Sequence, residues 1–533
     1  MQLKVIYAGL ASTLALTAGL GLAACDSSKP LAASASESVA DASGTGGLHV
    51  IKHVLLISVD GMHNGDLTHY VATHPNSVLA KWEHSGVTYS NVTGSKPSDS
   101  FPGLQQLISG ASAATTGVWY DVSYDRQLSP PGSNCSTVGT TVTFDESIDI
   151  NSTRLDGGGG INPAALPRDP NNGCTPVYPW QYVRVNNIFE VAHDAGYVTA
   201  WSDKHIGAYT IVEGPSGKGV TDLANLEVAG TLPSGNAATH DVNDDITYDS
   251  MKVNYVLNWC KGLDHTGTKH IGVPAIFGMD FQSVSTGETV NGYYHADYTP
   301  SVQLGKALDY VDSTLGKFEG QLRATGVADE TLIIVTAKHG QGPILPTTEH
   351  IIADTVLQTQ IDSIAPNLVA GSTLDDIGLL WLSNQDLTSA AVDKIQVNAA
   401  TNGAQHILWG TSLTAGNAGF PGFPSPLQDS RTPDIIVLPQ PGVIYDPIGT
   451  TALEDHGGFH DYDVELPILL FLPGVPETHV DAPVDTRSVA TTALWAIGLN
   501  PGLLAGAVIE GTPVLPGWLE AYTHRSQQVL ASK

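Results

Sequence analysis

The chain has 533 residues, 53 of them acidic and 23 basic, which gives a formal net charge of −30. Such a surface repels polyanions, and no basic cluster reverses it, so the chain carries no nucleic-acid-binding patch. Any phosphate it holds needs local positive charge, from a metal ion or from lysines.

Lys4 is the only charge before an apolar and small-residue run from Val5 to Ala24, the layout of a secretory signal. The run closes in Leu22-Ala23-Ala24-Cys25, which resembles a bacterial lipobox and implies cleavage before Cys25 and a diacylglycerol on its thiol. Residues 1–24 are therefore expected to be a lipoprotein signal peptide. The protein is expected to be exported to the cell envelope or periplasm and held at the membrane by the lipid on Cys25 alone. No later stretch is long and apolar enough to span a bilayer. Residues 25–48 are rich in Ser, Ala and Gly without hydrophobic period, a flexible linker of roughly 25 Å reach. The hydrolase domain is placed at 49–533.

Five apolar runs predict strands. Val54 to Val59 is followed by Asp60-Gly61, and Tyr197 to Trp201 by Ser202-Asp203-Lys204-His205. Val273 to Phe277 is followed by Gly278-Met279-Asp280, and Leu332 to Thr336 by Ala337-Lys338-His339-Gly340. Leu466 to Leu472 is preceded by Glu454-Asp455-His456-Gly457-Gly458. Alternation with helical patterns predicts an α/β fold, a mostly parallel central sheet flanked by helices. In such sheets ligands bind beyond the carboxyl ends of the strands, and four of these runs put Asp, His or Lys there.

Cys135 and Cys174 both lie in Gly/Pro/Asn-rich loops and are expected to pair. Closing that loop stabilises by roughly 4 kcal/mol. Cys260 ends a helical pattern (Val253, Val256, Leu257) and is expected to be a buried free thiol. Gly214 to Gly219 imitates a phosphate-binding loop, but its glycines are too close together and no Ser or Thr follows Lys218. His63 and Asp66 read as first-turn helix residues rather than ligands.

Hydrolysis of a phosphate ester needs a nucleophile, positive charge against the phosphoryl oxygens and help for the leaving group. Asp60-Gly61, then Ser98-Asp99-Ser100-Phe101-Pro102-Gly103, Lys338-His339-Gly340 and His456-Gly457-Gly458 stand in order along the chain. Together they resemble the type I phosphodiesterase/nucleotide pyrophosphatase family of the alkaline phosphatase superfamily. The stretch from Arg487 to Pro516 resembles that family's C-terminal helix and turn. The resemblance implies an alkaline-phosphatase-like fold and a small phosphate-ester substrate. It also implies Ser100 as the nucleophile that becomes phosphorylated, and divalent metal, most simply Zn²⁺, on Asp60, His339, His456 and Asp280.

Two positions depart from the family. Lys338 stands where it has a metal-binding Asp, and Val284 where it has a His four residues after Asp280. The number of ions, one or two, is therefore open. The expected site is a remodelled one, with Lys338 and Lys204 as electrostatic clamps beside His205, and Gln341 bonding a phosphoryl oxygen. Hydrolysis of sulfate or phosphonate esters is an alternative, although Leu104 stands where a sulfatase has Arg. A catalytically degenerate surface binding protein is another. The sequence does not reveal the oligomeric state.

Overall fold

The computed structural model describes residues 51–416 and 422–531. The signal segment, Cys25 and the linker lie outside the described residues. No helix among the described residues is long and apolar enough to cross a membrane.

Eight strands form the central sheet: β1 (His53–Val59), β2 (Gly86–Tyr89), β3 (Thr199–Ser202), β4 (Asp222–Leu223), β5 (Ile276–Phe281), β6 (Thr331–Thr336), β7 (Ile468–Phe471) and β8 (Thr478–Val480). Their spatial order is β8-β2-β7-β6-β1-β5-β3-β4. From β6 through β1, β5 and β3 to β4 every pairing is parallel, while β7 runs antiparallel to both β6 and β2. The inner strands are apolar throughout, as expected of strands buried on both faces. β5 and β6 are buried at every residue. Helices α1 (Asn64–Thr73), α2 (Ser100–Ser109), α3 (Val242–Cys260), α4 (Ser283–Asn291) and α5 (Val302–Thr325) follow or connect these strands.

All five expected strands are present, with one correction that matters for the site. The third run extends to Phe281, so Asp280 lies inside β5 opposite Ser58 of β1, not in a loop beyond it. Gly278 looks like a strand terminator, but a side chain there would meet the Leu56 carbonyl oxygen at 1.7 Å. Glycine is therefore what lets β5 press against β1.

A smaller antiparallel sheet of Val369–Leu374, Gly378–Leu382, Ile435–Pro439 and Ala404–Trp409 has its own apolar cluster. The strand pattern used above does not reveal it. Cys135 and Cys174 are bonded, with Cα atoms 5.9 Å apart, and Cys260 is a buried free thiol at the end of α3.

Candidate active site

The site sits where β1, β3, β5 and β6 end. Asp60 leaves β1 with its backbone N–H donated to the Phe281 carbonyl, 2.9 Å away, which fixes its carboxylate at the sheet edge. Ser100 is the first residue of α2, and Asp99 caps the helix by accepting the Phe101 N–H at 2.8 Å. Gly103, one turn along, packs on the strand exit: a Cβ there would lie 2.2 Å from the Lys338 carbonyl oxygen. The helix that carries Ser100 is thereby pressed onto the backbone that carries Lys338 and His339.

The Ser100 Oγ lies 2.9 Å from His339 Nε2, and that nitrogen is also 2.9 Å from Asp60 Oδ1. His339 Nδ1 faces the Gly340 carbonyl oxygen at 3.1 Å. That carbonyl and the Asp60 carboxylate beside Nε2 both only accept, so the neutral ring serves one of them; with its proton on Nδ1, Nε2 presents a lone pair. Burial depresses the His339 pKa below its ordinary value of 6.5, although Asp60 pulls the other way. The ring is therefore neutral at pH 7, and its lone pair can accept the Ser100 hydroxyl proton.

Two ammonium groups hold Asp60 from the other side. Lys204 Nζ is 2.6 Å from Asp60 Oδ2. Lys338 Nζ, fully buried, lies 3.4 Å from Asp60 Oδ2, 3.3 Å from Asp203 Oδ1 and 3.0 Å from Asp280 Oδ2. It also stands over the Tyr209 ring, 4.8 Å from its centroid. Burial alone pushes the Asp60 carboxyl up, but Lys204, Lys338 and His339 together hold it well below the usual carboxylate range. Burial lowers the Lys338 pKa, and the three carboxylates overcome this and raise it well above the ordinary lysine value. Burial and the neighbouring Asp60 charge push Asp280 up to about 8. Lys252 adds a hydrogen bond of 2.6 Å to the Asp280 carbonyl oxygen.

His456 lies against His339, with ring centroids 4.1 Å apart and the planes tilted by 41°, and its Nδ1 is 3.8 Å from Asp99 Oδ1. Burial takes its pKa well below 6.5, so it too is neutral. Asp60 and His339 offer two donors to a divalent ion. Asp60 Oδ1 is buried without a hydrogen-bond partner, and it converges with the His339 Nε2 lone pair and the Ser100 hydroxyl. His456 lies alongside, and the set is the nitrogen and oxygen mixture that zinc-type ions take. The residues do not fit a second ion at Asp280, because the Lys338 ammonium faces that carboxylate and the fully buried Val284 supplies no donor.

The other expected substrate groups lie elsewhere. His205 Nδ1 is 3.0 Å from Glu227 Oε1 and 3.7 Å from Glu146 Oε2, which ties the ring into an acidic pair. The Gln341 side-chain amide donates to Thr289 Oγ1 at 3.0 Å and approaches the Ser285 carbonyl at 3.4 Å, both on α4. Neither is joined to the Ser100 cluster. Sequence reasoning gave no role to Tyr209, Lys252 or the helix-capping Asp99. Only Asp99, placed before a Ser-Phe-Pro helix start, left a readable signal.

Residues 54–463 match the family model of type I phosphodiesterase/nucleotide pyrophosphatase. No curated protein sequence matches the chain. Among solved structures, the alkaline phosphatase PafA aligns with a TM-score of 0.56 and 11% identity over 84% of this chain and 96% of that one. The murine ectonucleotide pyrophosphatase/phosphodiesterase 5 aligns with a TM-score of 0.52 and 14% identity, over 84% and 96%. At such identities these likenesses establish an alkaline-phosphatase-like fold. The family match spans most of the sequence, and the chain belongs to the type I phosphodiesterase/nucleotide pyrophosphatase family of phosphoester hydrolases.

Proposed function

We propose that the chain is an exported, lipid-anchored hydrolase of small phosphate esters, diesters or nucleotide-like compounds, with Ser100 as nucleophile and one divalent ion in place of two. The observation that carries the reading is the convergence of Ser100 Oγ and Asp60 Oδ1 on His339 Nε2, each at 2.9 Å. Residues 1–24 serve as the signal, Cys25 carries the lipid, and residues 25–48 tether the domain starting at 49. A bound nucleotide has a precedent in the fold, since an inactive form of the murine phosphodiesterase 5 was solved in complex with AMP.

In this reading Ser100 attacks the phosphorus of a diester, and one ester oxygen leaves as the alcohol with the proton that the serine gave up. Water then releases the remaining phosphate monoester from the serine (a monoester substrate gives inorganic phosphate at that step). An ion held by Asp60, His339 and His456 supplies Lewis-acid charge against the phosphoryl oxygens. The charge balance supports it, because both ammonium groups near Ser100 are paired to carboxylates within 3.4 Å. They neutralise the protein's own acids and leave little positive charge for the substrate. Lys204, with 11% of its side chain exposed, is the cation best placed to touch a phosphoryl oxygen. The N-terminus of α2 favours the anion on Ser100.

One observation favours a second reading: Ser100 Oγ lies 2.9 Å from His339 Nε2, so with the ring proton on Nδ1 the pair acts as nucleophile and base without metal. Both readings are tested by hydrolysis of a chromogenic phosphodiester with metal-stripped protein, re-supplied with Zn²⁺, Mn²⁺, Mg²⁺ or Ca²⁺, beside Ser100→Ala. Turnover restored by one ion and lost in the variant supports the one-ion site. Metal-independent turnover that needs Ser100 supports the serine–histidine pair. No turnover on diester, monoester or sulfate ester overturns both.

A further inference from the structure

Next to the Asp60-Gly61 turn lies a buried polar cluster that the hydrolytic reading does not use. His63 caps α1, Asp66 lies in its first turn, Glu288 is on α4, and Glu454 is two residues before His456. Each is at most 1% exposed. His63 Nδ1 is 2.9 Å from Asp66 Oδ2 and 3.5 Å from Glu288 Oε1. The Tyr293 hydroxyl is 2.8 Å from both Asp66 Oδ1 and Glu288 Oε1, but it has one proton and can donate to only one of them.

The protons do not suffice. His63 Nε2 accepts the Gln341 backbone N–H at 3.1 Å and lies 2.7 Å from the Gln341 carbonyl oxygen. The one proton of the neutral ring therefore goes either to Asp66 through Nδ1 or to that carbonyl, and none is left for Glu288 Oε2 or Glu454. Asp66 Oδ2 also accepts the His63 backbone N–H at 2.8 Å. Glu288 Oε2 and both Glu454 oxygens have no hydrogen-bond partner among the described residues. Glu454 is close enough that its charge opposes those of Asp66 and Glu288, and its Oε1 abuts Gly292 at the end of α4. No Lys or Arg forms an ion pair with these acids among the described residues. Buried carboxylates left this way are costly unless a cation joins them.

We propose that His63, Asp66, Glu288 and Glu454 form a further divalent-cation site, with Tyr293 at its edge. An imidazole among carboxylates suits Mn²⁺ or Zn²⁺ better than the all-oxygen preference of Ca²⁺ or Mg²⁺. His63, Asp66 and Glu288 already present ligand atoms within 4.8 Å of one another. The ion joins α1, α4 and the loop that carries His456. It also backs the Asp60-Gly61 turn, since a Cβ on Gly61 would lie 2.1 Å from Glu288 Oε2. Its role is positioning. This inference stands apart from the one-ion reading of the Ser100 site.

The test is Mn²⁺ titration of the metal-stripped full chain, with bound ion counted by electron paramagnetic resonance and thermal melting followed in parallel. The wild type is expected to bind Mn²⁺ and to melt higher with it. Glu288→Gln/Glu454→Gln is expected to bind one ion fewer per chain than wild type and to lose that melting shift. Anomalous diffraction from Mn²⁺-soaked wild-type crystals, which needs no variant to fold, is expected to show a peak among the four side chains. The proposal is overturned if that peak is absent, or if the double variant binds as many ions as wild type and melts no lower. Either result would mean that the carboxyl groups share protons instead.

Discussion

The Lys338 ammonium lies 3.0 Å from Asp280 Oδ2, so a lysine meets an acid that, by family resemblance, would bind a metal. The same ammonium reaches Asp60 and Asp203, a fixed positive charge among three buried acids. Removing it strands three buried carboxylates. Lys338→Met is expected to cost about 3–5 kcal/mol of stability, the usual effect of breaking a buried ion pair from one side. Urea unfolding gives the value, and a loss below about 1 kcal/mol would show that the acids are protonated and need no cation.

Ser100→Ala removes a hydroxyl at the first position of α2 and leaves the Asp99 cap in place. Stability should change by about 1 kcal/mol, the net worth of the one hydrogen bond that is lost. Phosphodiester turnover should fall by at least about a thousandfold, as expected when a nucleophile is lost. Steady-state kinetics on the folded variant check this, and residual activity within tenfold of wild type would remove Ser100 from the nucleophile's role.

His339 must be neutral to accept the serine proton, and burial sets its pKa below 6.5. Activity is then present at neutral pH and lost as the pH falls through that depressed value. Asp60 stays ionised throughout this range because the lysines hold its pKa far lower. A pH–rate profile should therefore be flat near pH 7 and drop only on the acid side. A drop that begins above pH 7 would contradict the neutral imidazole.

Gly103→Ala places a Cβ 2.2 Å from the Lys338 carbonyl oxygen. Backbone cannot yield there cheaply, so α2 must shift away from β6, at about 1–3 kcal/mol. That shift lengthens the contact between Ser100 and His339. The expected result is a fall in kcat larger than the lost stability alone explains, read at a temperature where the variant remains folded.

Much of this was legible in the sequence, because the chemistry follows strand ends. Asp60, Lys338 and His339 stand just beyond apolar runs, and the structure brings them together with Ser100. Lys204 was identified in the same way, as a possible clamp, and it contacts Asp60 at 2.6 Å. What stayed hidden depends on how the chain approaches itself. Gly278 reads as a break until the Leu56 backbone is seen against it, and so Asp280 was expected one element too late. His205 and Gln341 sit at the right places in the chain, but their side chains are taken by Glu227 and by α4. His63 caps α1 and Asp66 lies in its first turn, yet their partners Glu288 and Glu454 come from segments more than two hundred residues away. No local pattern announces such a meeting.

The most direct test is to quench the wild-type enzyme with acid during turnover of a phosphodiester and map phosphorylation by mass spectrometry. The mechanism proposed here predicts on Ser100 a phosphoryl group still esterified to the diester's second alcohol, absent before substrate is added and absent in Ser100→Ala. Sustained turnover without phosphate on Ser100 at any quench time, or with phosphate on another residue, would contradict it.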